Sequence, residues 1–415
     1  DTGRLRVQGD VSGRSALLVN RWSGDGAMTQ GDGIQVVQVD GKSAADSFSL
    51  AKPVQAGAYE YLLYQGGDKD ANDWYLRSEL VDGGDGGNGG TQPPAPAFRL
   101  GVPGYVLGHQ LNLEYGFSAL GDLRSRVGDQ GSIADDGRQH PADFWARVYA
   151  HDLDVDGTRF SAHESRMFAT QIGMDVHSTT SGNASTHVGL MASIGGSRAT
   201  LSDSARARVG ESELAGRMES RTKGMGTYWT HFGANGGYID LAGQVLHYRN
   251  RYRDVELGAG RQSGWGGTAS VEIGKSMAMG ASGWFVQPEL QLAYQHLSLD
   301  RFTDDVSTVG QIDDNALRAR AAVRFARAPT SWLGMSNASP YIGLGMQRDY
   351  RDAASVTIGG TTLNDAIPDT TGDLSVGFTG TVTEGVELHF DTRYQKSTHG
   401  RRDGVRANLG IRVAL

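Results

Sequence analysis

The chain has 415 residues, a formal net charge of −8, 60 glycines and no cysteine, so it is long enough for two domains or one large β-architecture. Disulfides and thiolate metal sites are excluded, and mild acidity with no basic run along the chain argues against a nucleic-acid partner, which would need clustered cations to displace phosphate counterions. Glycine runs at about twice its usual share without a Gly-X-Y period, which favours turns and closely packed strands over collagen.

Residues 1–81 read as short strands, with Leu5 and Val7, then Ile34, Val36, Val37 and Val39, interrupted by Gly13, Gly24, Gly31 and Gly33. Tyr59, Tyr61, Trp74 and Tyr75 form an aromatic end suited to capping a stack of strands. Residues 82–102 begin DGGDGGNGGTQPPAPA, a linker too polar to bury a core. Within 103–130, Leu107, Leu111, Tyr115, Leu120, Leu123 and Val127 predict a helix over 103–127, although Gly108, Gly116 and Gly121 oppose it.

Residues 131–415 carry, from Asp143 onward, twelve alternating segments, near 143–152, 166–177, 186–197, 222–233, 237–249, 266–278, 283–297, 314–326, 339–349, 371–383, 385–396 and 404–415. In the second, Phe168, Ile172, Met174 and Val176 oppose Gln171 and Asp175. In the seventh, Val286, Leu290, Leu292 and Tyr294 oppose Gln287, Glu289, Gln291 and Gln295. In the last, Leu409, Ile411, Val413 and Leu415 oppose Asn408, Gly410 and Arg412. An apolar outside around a polar inside inverts a soluble barrel and predicts a membrane barrel. No run approaches the length of a transmembrane helix, but barrel strands need only about 9 to 11 residues each. Charged connections at 153–165, 198–221, 250–265, 298–313, 350–370 and 397–403 alternate with links at 178–185, 234–236, 279–282, 327–338 and Glu384, the outer-loop and inner-turn pattern of bacterial barrels.

The N-terminal runs LRVQGDVSGRSALLVNRWSGDG, GIQVVQVDGKSAADSFSL, GAYEYLLYQGG and NDWYLRS resemble the autochaperone region of pertactin-like autotransporters, and FWARVYAHD, FVQPELQLAYQHLSLD and the closing strand are similar to that family's translocator. The resemblance covers nearly the whole chain. It implies an all-β fold: a twelve-stranded antiparallel outer-membrane β-barrel holding the helix in its lumen, preceded by a short right-handed parallel β-helix end. It also implies a translocator that anchors and exports an N-terminal passenger, with the stub at the cell surface promoting passenger folding. Outer-membrane lipid, the barrel assembly machinery, periplasmic chaperones and the chain's own passenger are the implied partners. Absence of cysteine suits export through an oxidising periplasm, where a crosslink would block an unfolded chain. Leu415 departs from the aromatic residue that often ends such barrels. The chain opens at Asp1 without a basic, apolar signal region, which predicts processing or a longer precursor.

Alternation puts Trp145, Arg147, Tyr149, Glu272, Glu289, Arg320, Arg324, Glu387, Asp391 and Arg393 on the lumen face. A hydrated, charge-balanced lumen is the plain reading, and a wall gripping the helix the functional one. Self-cleaving relatives use an acid to activate an Asn within the helix, which here makes Asn112 the candidate junction. Asp1, Thr2 and Gly3 spell one D-T-G without the second that an aspartic protease needs. The scattered histidines lack H-E-x-x-H spacing, and no G-x-S-x-G elbow is present, so no catalytic site, cofactor or metal is expected. The alternative function is an outer-membrane pore or porin with a fused soluble β domain.

Overall fold

The computed structural model describes residues 3–20, 24–68, 70–81, 94–128, 143–256, 258–332, 334–351, 355–364 and 370–414. Asp1 and Thr2 of the D-T-G, linker residues 82–93, residues 129–142 and Leu415 lie outside that set.

In the stub, Leu5–Val7 runs parallel to Ile34–Val39, with Leu5 opposite Val37, and Ser15–Leu17 runs parallel to Phe48–Leu50. Each pair joins one coil of chain to the next, the stacking of a parallel β-helix. The stack then closes with antiparallel strands: Ile34–Val39 pairs with Trp74–Arg77, which pairs with Tyr59–Gln65, which pairs with Val54–Ala56. Reversed strand direction ends the parallel template on that side.

Two helices follow, α1 at Val102–Leu120 and α2 at Leu123–Val127. The sequence predicts one helix over 103–127, and the structure divides it at Gly121, which takes φ +67° and donates its N–H back to Phe117. Asp122 restarts the chain, its carboxylate accepting from the Ser125 N–H while the Ser125 hydroxyl caps the Asp122 N–H. Pro103 sits in the first turn of α1, where its missing N–H costs nothing.

The barrel strands are β1 (Asp143–Asp156), β2 (Phe160–Ser181), β3 (Ala184–Asp203), β4 (Leu214–Phe232), β5 (Gly237–Asp254) and β6 (Ala259–Lys275). They continue as β7 (Trp284–Leu299), β8 (Ile312–Arg327), β9 (Met335–Arg351), β10 (Thr370–Thr383), β11 (Val386–Ser397) and β12 (Arg402–Ala414). Each pairs antiparallel with its sequence neighbours, β6 pairs with β7 across the middle, and β1 meets β12 with Asp143 opposite Ala414 and Val155 opposite Arg402. The ring therefore closes without an edge, which lipid requires because it cannot hydrogen-bond a free backbone.

All twelve predicted segments are strands, but most run further than their alternation. β2 begins at Phe160 instead of 166 and β4 at Leu214 instead of 222, so the predicted connections at 153–165 and 198–221 are largely hairpin. Above the lipid belt the outward side chains turn charged, and the apolar signal stops while the backbone ladder continues. The loops at that end carry a 3₁₀ turn (Ser204–Val209) and a small sheet joining Phe302–Thr303, Thr308–Val309, Ser355–Ile358 and Thr361–Asn364.

The two faces separate as alternation requires. Leu290, Ile194 and Met225 are 55%, 58% and 72% exposed on the outer wall, whereas Gln295, Thr222 and Gln171 are buried inside. Leu290 lies midway along the apolar row of β7, and Gln291 faces inward opposite Glu272 on β6. Leu290→Arg should cost roughly 2 to 4 kcal/mol near the bilayer midplane and sharply lower the yield of folded barrel, while Gln291→Arg retains most of it. Heat-modifiable mobility after outer-membrane insertion measures both, and equal yields would reverse the face assignment.

Candidate functional site

The residues brought together are those of α1, α2 and the inner wall. All nineteen residues of α1 are buried, polar ones included, so the helix is enclosed by the barrel on every side. Three glycines let it approach the wall closely. A Cβ at Gly104 would lie 3.1 Å from Leu201, at Gly108 2.6 Å from the Tyr252 hydroxyl, and at Gly116 2.4 Å from the Gln295 amide. The glycines that weaken helix propensity are thus where wall side chains occupy the space of a Cβ.

Charges on the helices meet opposite charges on the wall. Glu114 of α1 faces Arg318 at 2.7 Å, Arg402 in direct contact and Arg406 at 3.8 Å, with Arg318 also paired to Asp349 at 2.6 Å. Asp122 accepts from Arg393 at 2.6 Å. In the other direction, Arg126 of α2 donates to both oxygens of Asp240 at 2.7 and 2.8 Å, and Arg124 donates to Glu289 at 3.1 Å. Acids of the plug therefore point at β8, β11 and β12, and its arginines at β5 and β7. Neutral donors complete the seat: Gln244 to the Gly116 carbonyl at 2.9 Å, Tyr248 to that of Asn112 at 3.1 Å, Gln291 to that of Gly121 at 2.9 Å and Asn408 to that of Ser125 at 2.7 Å.

Arg147 is the link between the two helices. Its guanidinium donates to the Ala119 carbonyl at the end of α1 at 2.5 Å, to the Ser125 carbonyl and hydroxyl at 3.2 and 3.1 Å, and to Gln171 at 2.8 Å. A cation there also suits the negative end of the α1 dipole. Tyr149 lies 5.2 Å from that guanidinium, and Trp145 donates to the Tyr228 hydroxyl on the wall at 3.1 Å. Glu272 accepts the Leu123 N–H at 3.2 Å and the Tyr238 hydroxyl at 2.7 Å. Arg320 and Arg324 approach Glu289 at 3.8 and 3.6 Å, Arg324 lying over the Tyr341 ring, while Asp391 is 4.0 Å from Arg393. Glu387 stands apart from this group, 3.9 Å from Arg412. Asn112 is buried in α1 with neither amide atom hydrogen-bonded among the described residues, while its backbone carbonyl accepts from Tyr248.

The stub aromatics divide between two places. Trp74 packs edge-on to Phe48 at 5.4 Å and donates to Ser43, whereas Tyr59 packs on Phe98, which leads to Phe160 of β2 at 5.9 Å. Trp74 pairs with Gln65 at the far end of the strand that Tyr59 begins, Tyr75 pairs with Tyr64, and Tyr59, Tyr61 and Trp74 belong to one continuous buried cluster. Tyr61 fixes the coil below through Ala27, accepting its N–H and donating to its carbonyl.

Where the chain enters the lumen, Arg99 donates to the Gly57 carbonyl at 2.6 Å, to Asp304 at 3.0 Å and to Ser307 at 3.0 Å, and Tyr105 of α1 donates to Asp304 at 2.7 Å. Burial would raise the Asp304 carboxyl, but Arg99, the N–H groups of Ser307 and Val306 and the Tyr105 hydroxyl together hold it below the ordinary carboxylate range. At the opposite end, Asp143, Asp175 and His187 place ligand-type atoms within 4.8 Å of one another. Each already has a protein partner: His187 and Tyr228 bond Asp175 at 2.7 and 2.6 Å, and Arg412 bonds Asp143. The trio therefore reads as a closed ion-pair network.

Sequence reasoning passed over Glu114, Asp122, Arg126, Asp240, Arg318 and Arg402. A local signal existed for one, since Asp122 and Ser125 after Gly121 spell a capping box. The others are paired across more than a hundred residues of chain, and alternation marks their face without naming their partners.

Residues 144–393 match the family model described as the autotransporter beta-domain, and residues 1–63 match autochaperone domain type 1. The adhesin BmaC autotransporter of Brucella suis is 28% identical over 450 aligned positions, covering 99% of this chain and 13% of BmaC, so the chain corresponds to a small part of that protein. The solved transport unit of AIDA-I from Escherichia coli superposes with TM-score 0.58 at 16% identity, over 75% of this chain and 99% of that one. The translocator domain of NalP from Neisseria meningitidis gives TM-score 0.56 at 14% identity, over 75% and 99%.

The buried Arg126–Asp240 pair supplies a test of how the helix is held. Arg126→Met or Asp240→Leu alone strands a buried charge and should cost about 3 to 5 kcal/mol, whereas the double variant recovers much of the loss. Urea denaturation of the folded chain in detergent measures the cycle. Additive losses in the double variant would show that the pair does not hold α2.

Proposed function

Because the chain belongs to the autotransporter family and its barrel is an outer-membrane translocator, we propose a division of labour along it. Residues 131–415 anchor the protein and provide the export route, 103–130 plug that route once export is complete, 82–102 join plug to stub, and 1–81 template folding of an upstream passenger at the cell surface. The role is transport and assembly in place of catalysis. Outer-membrane lipid, the barrel assembly machinery, periplasmic chaperones and the chain's own passenger are its partners.

The observation that carries this reading is the course of the backbone. The chain leaves the stub beside the loop sheet at Asp304, enters the lumen through α1, and reaches α2 near Asp240 and Glu272 at the short-turn end. It thus traverses the barrel from the loop side to the turn side before β1 begins, the path left by a segment drawn outward and halted. A porin with an appended domain would need no such passage, and its pore would be open.

Deleting 103–127 should leave an assembled barrel whose conductance in planar bilayers rises severalfold, because the side chains that fill the lumen are removed. Unchanged conductance would remove the plug from this scheme.

The stub has its own test. Trp74 is 3% exposed, and Trp74→Ala should cost about 3 to 5 kcal/mol of stub stability. In a full-length precursor the barrel should still insert while the exported passenger becomes protease-sensitive at the cell surface. A passenger that stays resistant at normal abundance would make the stub a spacer.

A further inference from the structure

The fold gathers cations that the linear sequence disperses. On the outer wall of β3 to β6, at the loop end, Arg198, Arg217, Arg221, Lys223, Arg249, Arg251, Arg253 and Arg261 are all exposed. Their inward neighbours Ser220, Thr222, Asn250 and Gln262 are buried, which fixes the outward direction. Four cross-strand registers set positive or titratable groups directly opposite each other: Arg217 with Arg253, Arg221 with Arg249, Lys223 with His247, and Arg251 with Arg261. Like charges so placed oppose sheet pairing. Among the described outward residues between these cations one acid, Glu219, interrupts them, in register with Arg198 on β3, 3.7 Å away, and with Arg251 on β5. The side chains of Arg217, Arg221, Lys223, Arg249, Arg251, Arg253 and Arg261 have no hydrogen bond or ion pair among the described residues.

Two further features say what neutralises them. The patch stands directly above the lipid-facing row of Ile194, Met225 and Val245, with Trp265 opposite His247 at the boundary, so it lies at the height of the outer-leaflet headgroups. A groove of about 460 Å³ there is lined by Ile194, Arg221, Lys223, His247 and Arg249, apolar below and cationic above. At the same end of the far wall, β8 presents Asp313 and Asn315 outward and β9 and β11 each present a single exposed cation there, Arg348 and Lys396, so the charge is concentrated on β3 to β6.

We propose that this face is a docking site for the phosphorylated headgroup of an outer-leaflet glycolipid, its phosphates held by Arg221, Lys223 and Arg249 and its acyl chains lying along Ile194, Met225 and Val245. Arginine forks match phosphate oxygens and carry their charge at any physiological pH. A bound lipid would cancel the cross-strand repulsion, making β3 to β6 firmer in the membrane than in neutral detergent. The proposal rests on the outer-membrane placement of the barrel and is separable from passenger export.

The test uses the folded full chain in neutral detergent with bisphosphorylated lipid A, dephosphorylated lipid A or inorganic phosphate, read by thermal unfolding and by lipid retained in native mass spectrometry. Bisphosphorylated lipid A should raise the unfolding temperature of the wild type and remain bound. Retention should fall about tenfold or more in Arg221→Gln/Lys223→Gln/Arg249→Gln. The distant outward variant Arg348→Gln should behave as wild type, and heat-modifiability confirms that each variant is folded. Equal retention by the triple variant, or equal protection by dephosphorylated lipid A, would overturn the proposal. Equal protection by inorganic phosphate would overturn it in favour of a free-anion site.

Discussion

The hydrogen-bonded seam between β1 and β12 is the constraint from which the remainder of the molecule follows. Hydrocarbon offers no partner for backbone N–H and C=O groups, so a strand that spans it must have a neighbour on each side. Closing the first strand on the last satisfies every edge at once, with paired residues from Asp143–Ala414 to Val155–Arg402. Once the ring is shut, alternation makes one face lipid and the other an enclosed bore. An enclosed bore lined by Arg147, Asp240, Glu272, Glu289 and Arg318 must then be filled by water or by matching charges. Here α1 and α2 supply the match.

That matching explains the composition of the plug. A helix buried on all sides would ordinarily be apolar throughout, yet this one carries Glu114 and is followed by Asp122, Arg124 and Arg126. Each charge has an opposite partner on a particular strand, which fixes rotation about the helix axis and position along it. Hydrophobic contact alone would do neither. The inner wall is thus read in two directions, arginines on the β8–β12 side taking the acids and carboxylates on the β5–β7 side taking the arginines.

Much of this was legible in the sequence, because lipid imposes a two-residue period strong enough to mark every barrel strand, from Phe168, Ile172 and Met174 to Leu409 and Ile411. The same signal ends where lipid ends, so the true lengths of β2 and β4 were hidden beneath charged residues that continue the ladder in water. The break at Gly121 was visible as a glycine before a capping box but lost in the continuous apolar spacing from Leu107 to Val127. The pairs Arg126–Asp240 and Glu114–Arg402 depend on strand order and stagger, which periodicity does not carry. For the same reason a chain with no basic run presents a basic face, since Arg198, Arg221, Arg249 and Arg261 become neighbours only when four strands align.

The three glycines against the wall bear on how plug and barrel can come together. With Leu201, Tyr252 and Gln295 occupying the space where side chains would stand at positions 104, 108 and 116, the helix cannot roll about its axis or shift sideways without collision. Lengthwise movement is opposed as well, because it would carry Asn112, on the same face at four-residue spacing, toward the side chains seated at the glycines. Any force drawing the chain toward the loop side must therefore unseat those contacts and also break the ion pairs of Glu114, Asp122, Arg124 and Arg126. The seat therefore works as a latch, in which steric notches and ion pairs have to yield together before the plug can move along the bore.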